Sequence, residues 1–333
     1  MTPFRAPLWA RNPHAQTLLG ALCDRASGEG LIRERITLSD GDFLDLDWLS
    51  PRAHTGPVLL VLHGLEGSSR SPYITRLLRR CRAAGWNAVV MHFRGCSGQP
   101  NRLARGYHAG ETGDLQEIMN RLHSRYPQGV CAVGYSLGGS VLLKWLGEQG
   151  THAPILAAAA VSVPFDLASA ARRLDKGASR LYQWILLRWL KRSLVHKARA
   201  RGTDPHFVRG LRTFRAFDGA VTAPLHGFRD ANDYYRRASC RPYLRHITVP
   251  TLLVQAADDP FLMQGSAPDA AELGAAVRLE LSARGGHVGF IGGGTPWAPH
   301  FWLDDRLAAF LGPYMHGGPR LDPKRPGTAG CGP

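Results

Sequence analysis

Apolar positions along the chain follow two rhythms. Residues 31–38 and 43–49 alternate partly between apolar and polar, and Asp40-Gly41 lies between them, which predicts an antiparallel hairpin near the start. From Val58 the rhythm changes. Val58-Leu59-Leu60-Val61-Leu62 is a short unbroken apolar run, the pattern of a strand covered on both faces. Similar runs follow at 88–91, 130–133, 155–163, 251–256 and 277–281. Helical patterns lie between several of them, near 72–84, 114–124 and 137–149, and a last one spans 302–311. Strands alternating with helices predict an α/β fold with a mostly parallel, doubly wound sheet.

The alternation stops between Pro164 and Pro242. That stretch carries helical patterns and no clear strand, so it predicts an insertion over the carboxyl edge of the sheet, where open α/β sheets bind ligands. The expected organisation is a core in two parts, 1–163 and 243–315, a helical cap over 164–242, and a Gly-, Pro- and Arg-rich disordered tail over 316–333. Within the cap, Leu181, Trp184, Ile185, Leu187, Trp189, Leu190 and Leu194 make a broad apolar face. Packing onto the core is the ordinary use of such a face, and a lipid- or acyl-chain-facing surface is the alternative.

Charge adds to this picture at one place. The 333 residues carry a formal net charge of +15. Between Arg172 and Arg215 there are 13 Lys or Arg against two acids, Asp175 and Asp204, so this segment alone supplies +11. An Arg-rich solvated surface is the ordinary account of this charge, and peripheral contact of the basic cap with an anionic membrane is the alternative. No zinc-finger spacing, RNA-binding signature or basic zipper is present, so no nucleic-acid partner is expected. Six scattered cysteines without a CxxC pair argue against both a disulfide framework and a structural zinc site. With no secretory apolar stretch and no run long enough to span a bilayer, a cytoplasmic location is expected.

The chemistry centres on Gly134-Tyr135-Ser136-Leu137-Gly138-Gly139, between a predicted strand and a predicted helix. A serine on so sharp a turn needs small neighbours, and Gly134 and Gly138 supply them. The turn lifts the hydroxyl above the sheet and places the Leu137 amide at a helix N-terminus, where it can stabilise an oxyanion. A serine hydroxyl needs a base, and in this strand–turn–helix context an acid and a histidine follow in the chain. Asp258-Asp259 ends the 251–256 strand, and His287 sits in a Gly-rich loop after the 277–281 strand. Asp259, before Pro260, is preferred as the residue that orients His287, which leaves Asp258 to cap the turn. The second oxyanion donor is expected in His63-Gly64-Leu65-Glu66-Gly67, from the Leu65 amide. His63 itself precedes the serine and is set aside as a base. His92 and Arg94 are expected to shape their loop, and the His300/Asp305 spacing is treated as coincidence.

Together with Asn12-Pro13-His14-Ala15-Gln16-Thr17, His92-Phe93-Arg94-Gly95-Cys96-Ser97-Gly98 and Gly285-Gly286-His287-Val288-Gly289-Phe290, these motifs resemble the YheT-like α/β-hydrolase esterases from about Leu8 to Phe310. The resemblance implies an α/β-hydrolase fold. It also implies carboxylesterase or acylglycerol lipase activity on short to medium acyl chains, with Ser136, Asp259 and His287 as the charge relay and neither metal nor organic cofactor. Its alternatives are acyl transfer to an alcohol, thioester or amide cleavage, and a non-catalytic lipid-binding module on the same fold.

Overall fold

The computed structural model describes residues 3–23, 30–49 and 56–317. Eight strands form one sheet. They are β1 (Leu31–Thr37), β2 (Phe43–Leu49), β3 (Val58–Leu62), β4 (Asn87–Met91), β5 (Val130–Tyr135), β6 (Ala157–Val161), β7 (Thr251–Ala256) and β8 (Val277–Ser282). Their order across the sheet is β1-β2-β4-β3-β5-β6-β7-β8. Only β2 runs against the rest, pairing antiparallel with β1 and β4. From β4 to β8 every neighbouring pair is parallel.

The unbroken apolar runs follow from burial on two sides. Val58, Leu60 and Leu62 of β3 face one core with helices α3 (Gly113–Arg125) and α4 (Leu137–Gln149). Leu59 and Val61 face the other core, with α2 (Pro72–Ala84) and a final helix, Trp302–Met315. The hairpin β1–β2 differs. Arg33 and Arg35 stand opposite Asp47 and Asp45 and form paired hydrogen bonds with them at 2.7–2.9 Å, so polar residues sit in a buried strand without an orphaned charge.

Some boundaries move for local reasons. The 155–163 run yields a strand only over Ala157–Val161, because Ser162 adopts a left-handed φ of 52° and turns the chain. In β5 the ladder continues past Val133, with Gly134 and Tyr135 pairing to Ala160 and Val161 of β6 up to the residue before Ser136. Two elements were not anticipated. Helix α1 (Pro13–Leu22) begins on Asn12, whose side chain accepts from the amides of His14 and Ala15 at 2.8 and 3.2 Å. A small hairpin, Ile291–Thr295 with Ala298–Phe301, precedes the last helix.

Between β6 and β7 the chain is helical and contains no strand. It includes α5 (Leu167–Leu174), the 21-residue α6 (Ser179–Arg199), a helical run over 214–225, and Ala231–Ala238. These pieces have a small core of their own, built from Leu187, Val208, Phe217 and Val221. The apolar face of α6 is therefore divided. Leu187 enters that core, Ile185 and Leu194 face the cavity described below, and Leu181 and Trp184 are exposed. Of the expected tail, 318–333 lies outside the described residues. His316 ends the last helix and accepts a hydrogen bond from Trp86 Nε1 at 3.3 Å. The five described cysteines are free, and Cys331 lies outside the described residues. No described helix is long and apolar enough to cross a membrane.

Candidate active site

Parallel strands bring their carboxyl ends to one edge, and four loops meet there: those after β3, β5, β7 and β8. Ser136 follows β5 and precedes α4 with φ 50° and ψ −116°, a strained conformation for a side chain with a Cβ. The turn is held because the Ser136 amide donates to Val161 O at 2.8 Å. It also demands glycine nearby. A Cβ on Gly134 would lie 2.5 Å from Gly138 O, and one on Gly138 would lie 2.5 Å from His63 O.

The histidine and acid arrive from beyond the helical insertion. His287 Nδ1 lies 2.8 Å from Asp259 Oδ2, and its Nε2 lies 3.0 Å from Ser136 Oγ. A carboxylate only accepts, so Nδ1 carries the proton and Nε2 presents a lone pair to the serine hydroxyl. The Asp259 side chain is fully buried, and its Oδ1 accepts from the Phe261 amide at 2.8 Å. The Phe261 ring lies flat on the imidazole, with centroids 4.0 Å apart. Asp258 serves differently from the expected turn cap: its Oδ1 accepts from the Gly286 amide at 2.9 Å, tying the β7 loop to the histidine loop. Burial raises this carboxyl above the ordinary range.

The loop after β3 packs against the serine. A Cβ on Gly64 would lie 3.4 Å from Ser136 Cβ. Among the described residues neither the Leu65 amide nor the Leu137 amide has a protein acceptor, while their neighbours are engaged. The Gly64 amide donates to Tyr73 Oη at 2.9 Å and the Glu66 amide to Tyr107 Oη at 2.8 Å. Tyr107 Oη in turn donates to Glu66 Oε1 at 2.9 Å. Burial raises the Glu66 carboxyl. His63 is buried and shapes the loop, its Nδ1 donating to Gly64 O at 2.7 Å and its Nε2 accepting from the Phe93 amide at 3.2 Å. Burial lowers this imidazole to about 3.

Several supporting contacts escaped the sequence analysis, which quoted Gln16 and Thr17 only within a motif, because their partners lie in distant parts of the chain. The His287 amide donates to Thr17 Oγ1 on α1, and the Val288 amide donates to Ser162 Oγ after β6, both at 2.9 Å. Gln16 grips the same loop, its Oε1 accepting from the Ile291 amide at 2.6 Å and its Nε2 donating to Ile291 O at 3.1 Å. His92 and Arg94 remain structural. His92 Nε2 meets Asp47 at 2.7 Å, and Arg94 binds both oxygens of Asp114 at 2.7 Å. His300 and Asp305 do pair, at 2.7 Å, but on the surface and away from the serine's cavity.

Above Ser136 and His287 lies a cavity of about 500 Å³. Leu65 and Leu137 line its base, and Leu174, Ile185, Leu190, Phe217 and Val221 of the helical insertion line its far side. Beside it, His108, Glu111 and His226 bring three metal-type donor atoms within 4.8 Å of one another. Their other partners oppose a cation. Arg105 already pairs with Glu111 at 2.7 Å, and the Gly110 amide donates to His108 Nδ1 at 3.1 Å, leaving Nε2 to carry the proton. Burial holds His108 and His226 neutral, at about 3 and about 4.

The family model for the alpha/beta hydrolase fold matches residues 57–293, most of the chain. YheT of Escherichia coli (strain K12), named as a candidate esterase, is 43% identical over 311 residues, 91% of each chain. The chain is a YheT-like member of the alpha/beta hydrolase fold family. Phospholipase ABHD3 of Homo sapiens is 31% identical over 301 residues, covering 87% of this chain and 74% of that one. Among solved structures, the Pyrococcus furiosus esterase Pf2001 superposes with a TM-score of 0.56 at 17% identity, over 86% of this chain and 93% of the other, a likeness of fold. The chain is thus an α/β-hydrolase of the esterase and lipase type.

Proposed function

We propose that this hydrolase cleaves carboxylic esters of short to medium acyl chains through an acyl-enzyme on Ser136. The observation that carries the proposal is the connected pair of contacts from Ser136 Oγ to His287 Nε2 and from His287 Nδ1 to Asp259, at the floor of an apolar cavity. His287 accepts the serine proton as Oγ bonds to the acyl carbon, and buried Asp259 holds the imidazole and stabilises its charged form. The tetrahedral oxyanion is received by the free amides of Leu65 and Leu137, each contributing about 3 kcal/mol when preorganised. His287 then gives its proton to the departing alcohol. In the second half it takes a proton from water as the water oxygen bonds to the acyl carbon, and the carboxylic acid leaves as the bond to Oγ breaks and Ser136 regains its hydrogen from His287. The helices over 164–242 serve as the cap that shields this chemistry and seats the acyl chain.

Ser136→Ala is expected to abolish turnover of p-nitrophenyl butyrate and labelling by a fluorophosphonate probe, while circular dichroism stays unchanged. Near-normal turnover by a folded Ser136→Ala protein would sink the proposal. Wild-type protein that folds but takes no label would favour a binding module instead.

A further inference from the structure

The mouth of the cavity is rimmed by large apolar side chains that water touches. Leu18 and Leu22 of α1, Trp189 of α6 and Leu225 all line the cavity and yet remain 39–54% exposed. Next to Trp189 along α6, Leu181, Trp184, Arg188 and Arg192 follow at spacings of three and four and make one solvent-facing row. Leu181 and Trp184 do not line the cavity and are 60% and 57% exposed. A folded protein has little reason to hold two such side chains in water beside an apolar opening unless the row meets an apolar phase.

The charge around this row narrows the partner. Helix α6 has no acidic residue in its 21 positions, against Arg180, Arg188, Lys191, Arg192 and Arg199, with Lys197 buried on its inner side. Elsewhere arginines such as Arg33, Arg35, Arg94, Arg241 and Arg306 are paired with carboxylates. Among the described residues Arg180, Arg188 and Arg192 form no ion pair with a carboxylate. The Arg188 guanidinium lies 5.6 Å over the Trp184 ring, an apolar plate with a cation on it. Tryptophan and leucine interleaved with unpaired arginine on one helix face suit the boundary between acyl chains and anionic headgroups. A nucleic acid would gain from the arginines but not from Leu181, Leu18 or Leu22.

We infer that the outer face of α6, with the exposed ends of α1 and Leu225, docks the protein on an anionic phospholipid bilayer with its cavity mouth against the membrane. The orientation would let an acylated lipid pass from the bilayer to Ser136 without crossing water. That last step rests on the proposed ester hydrolysis, whereas docking itself requires no turnover.

The test is sedimentation of the whole protein with vesicles of phosphatidylglycerol and phosphatidylcholine, and with phosphatidylcholine alone. Binding to the anionic vesicles is expected, at least tenfold above the neutral ones and falling with added salt. L181E/W184E and R188E/R192E should each reduce it about tenfold or more, while L181E/W184E keeps wild-type turnover of soluble p-nitrophenyl butyrate, showing that it folds. Equal partition of wild type and L181E/W184E overturns the inference. So does wild-type protein that ignores anionic vesicles or is retained only on DNA. Because sedimentation reads position and the soluble ester reads chemistry, failure of one does not mimic failure of the other.

Discussion

Ser136 is one of five non-glycine residues with positive φ among those described, the others being Glu66, Ser162, Val288 and Phe290. Four of them lie in the loops that meet at the carboxyl edge, and Ser162 follows directly on β6. Each such conformation costs about 1–3 kcal/mol and persists only where its surroundings fix it. The fixing contacts are visible: Val161 O holds the Ser136 amide, Ser162 Oγ holds the Val288 amide, and Tyr107 Oη holds the Glu66 amide. Tyr107 is thus a positioning residue for the loop that carries Leu65. Tyr107→Phe leaves a buried amide without an acceptor, a loss of about 1–3 kcal/mol. It should lower kcat about tenfold or more and leave KM for a short ester within about twofold. An unchanged kcat would show that the loop holds its shape without the phenol. Such contacts were illegible in the sequence because partners 41, 126 and 270 residues apart share no local pattern. The catalytic candidates were legible because the turn chemistry around Ser136 requires glycines at fixed offsets.

At the scale of elements, the strands were readable where the sheet buries them on both faces, since β3 to β7 are then apolar but for a few hydrogen-bonded residues such as Asn87 and Gln255. Helix α1 announced itself only by Asn12 and Pro13, a cap and a first-turn proline, and its ten residues show no strong apolar stripe. The Gly-rich strand Ile291–Thr295 has no alternation to read. The apolar face of α6 could be seen but not apportioned, because helical periodicity does not distinguish a cavity from a core or from solvent. The elements around the serine fit by close backbone approach, and this can be tested. A Cβ at Gly138 would also lie 2.7 Å from Leu62 O, so Gly138→Ala has to push α4 away from β3. Overpacking of this kind costs about 1–3 kcal/mol. Thermal unfolding should show a lower Tm, and ester turnover should fall by more than the small fraction of unfolded protein explains. A variant with wild-type Tm and turnover would mean the two elements are not in contact as described.

For the molecule as a whole, the helical insertion makes stability depend on pH. Asp218 is buried there, with Thr222 Oγ1 donating to one oxygen and Tyr235 Oη to the other, both at 2.7 Å. Burial pushes its carboxyl from 3.8 up to about 6. The native state therefore binds this proton more tightly than the unfolded chain. The stabilisation is complete below about 4 and disappears as pH rises through about 6, at most about 3 kcal/mol for this rise of the carboxyl. Asp218→Asn should narrow the difference in Tm between pH 4.5 and pH 7.5. If differential scanning fluorimetry finds the same difference in both proteins, Asp218 is not its source.

The grip of α1 on the histidine loop has a consequence for the timing of biosynthesis. Thr17 emerges from the ribosome 270 residues ahead of His287, and Ser136 emerges 151 residues ahead of it. On the proposed roles, a growing chain carries its nucleophile for nearly half of its synthesis with no base to arm it. The base takes up its position only when the first helix and the closing loop meet. Hydrolysis would begin with completion of the fold, and ester turnover would then serve as a clock for the last step of folding.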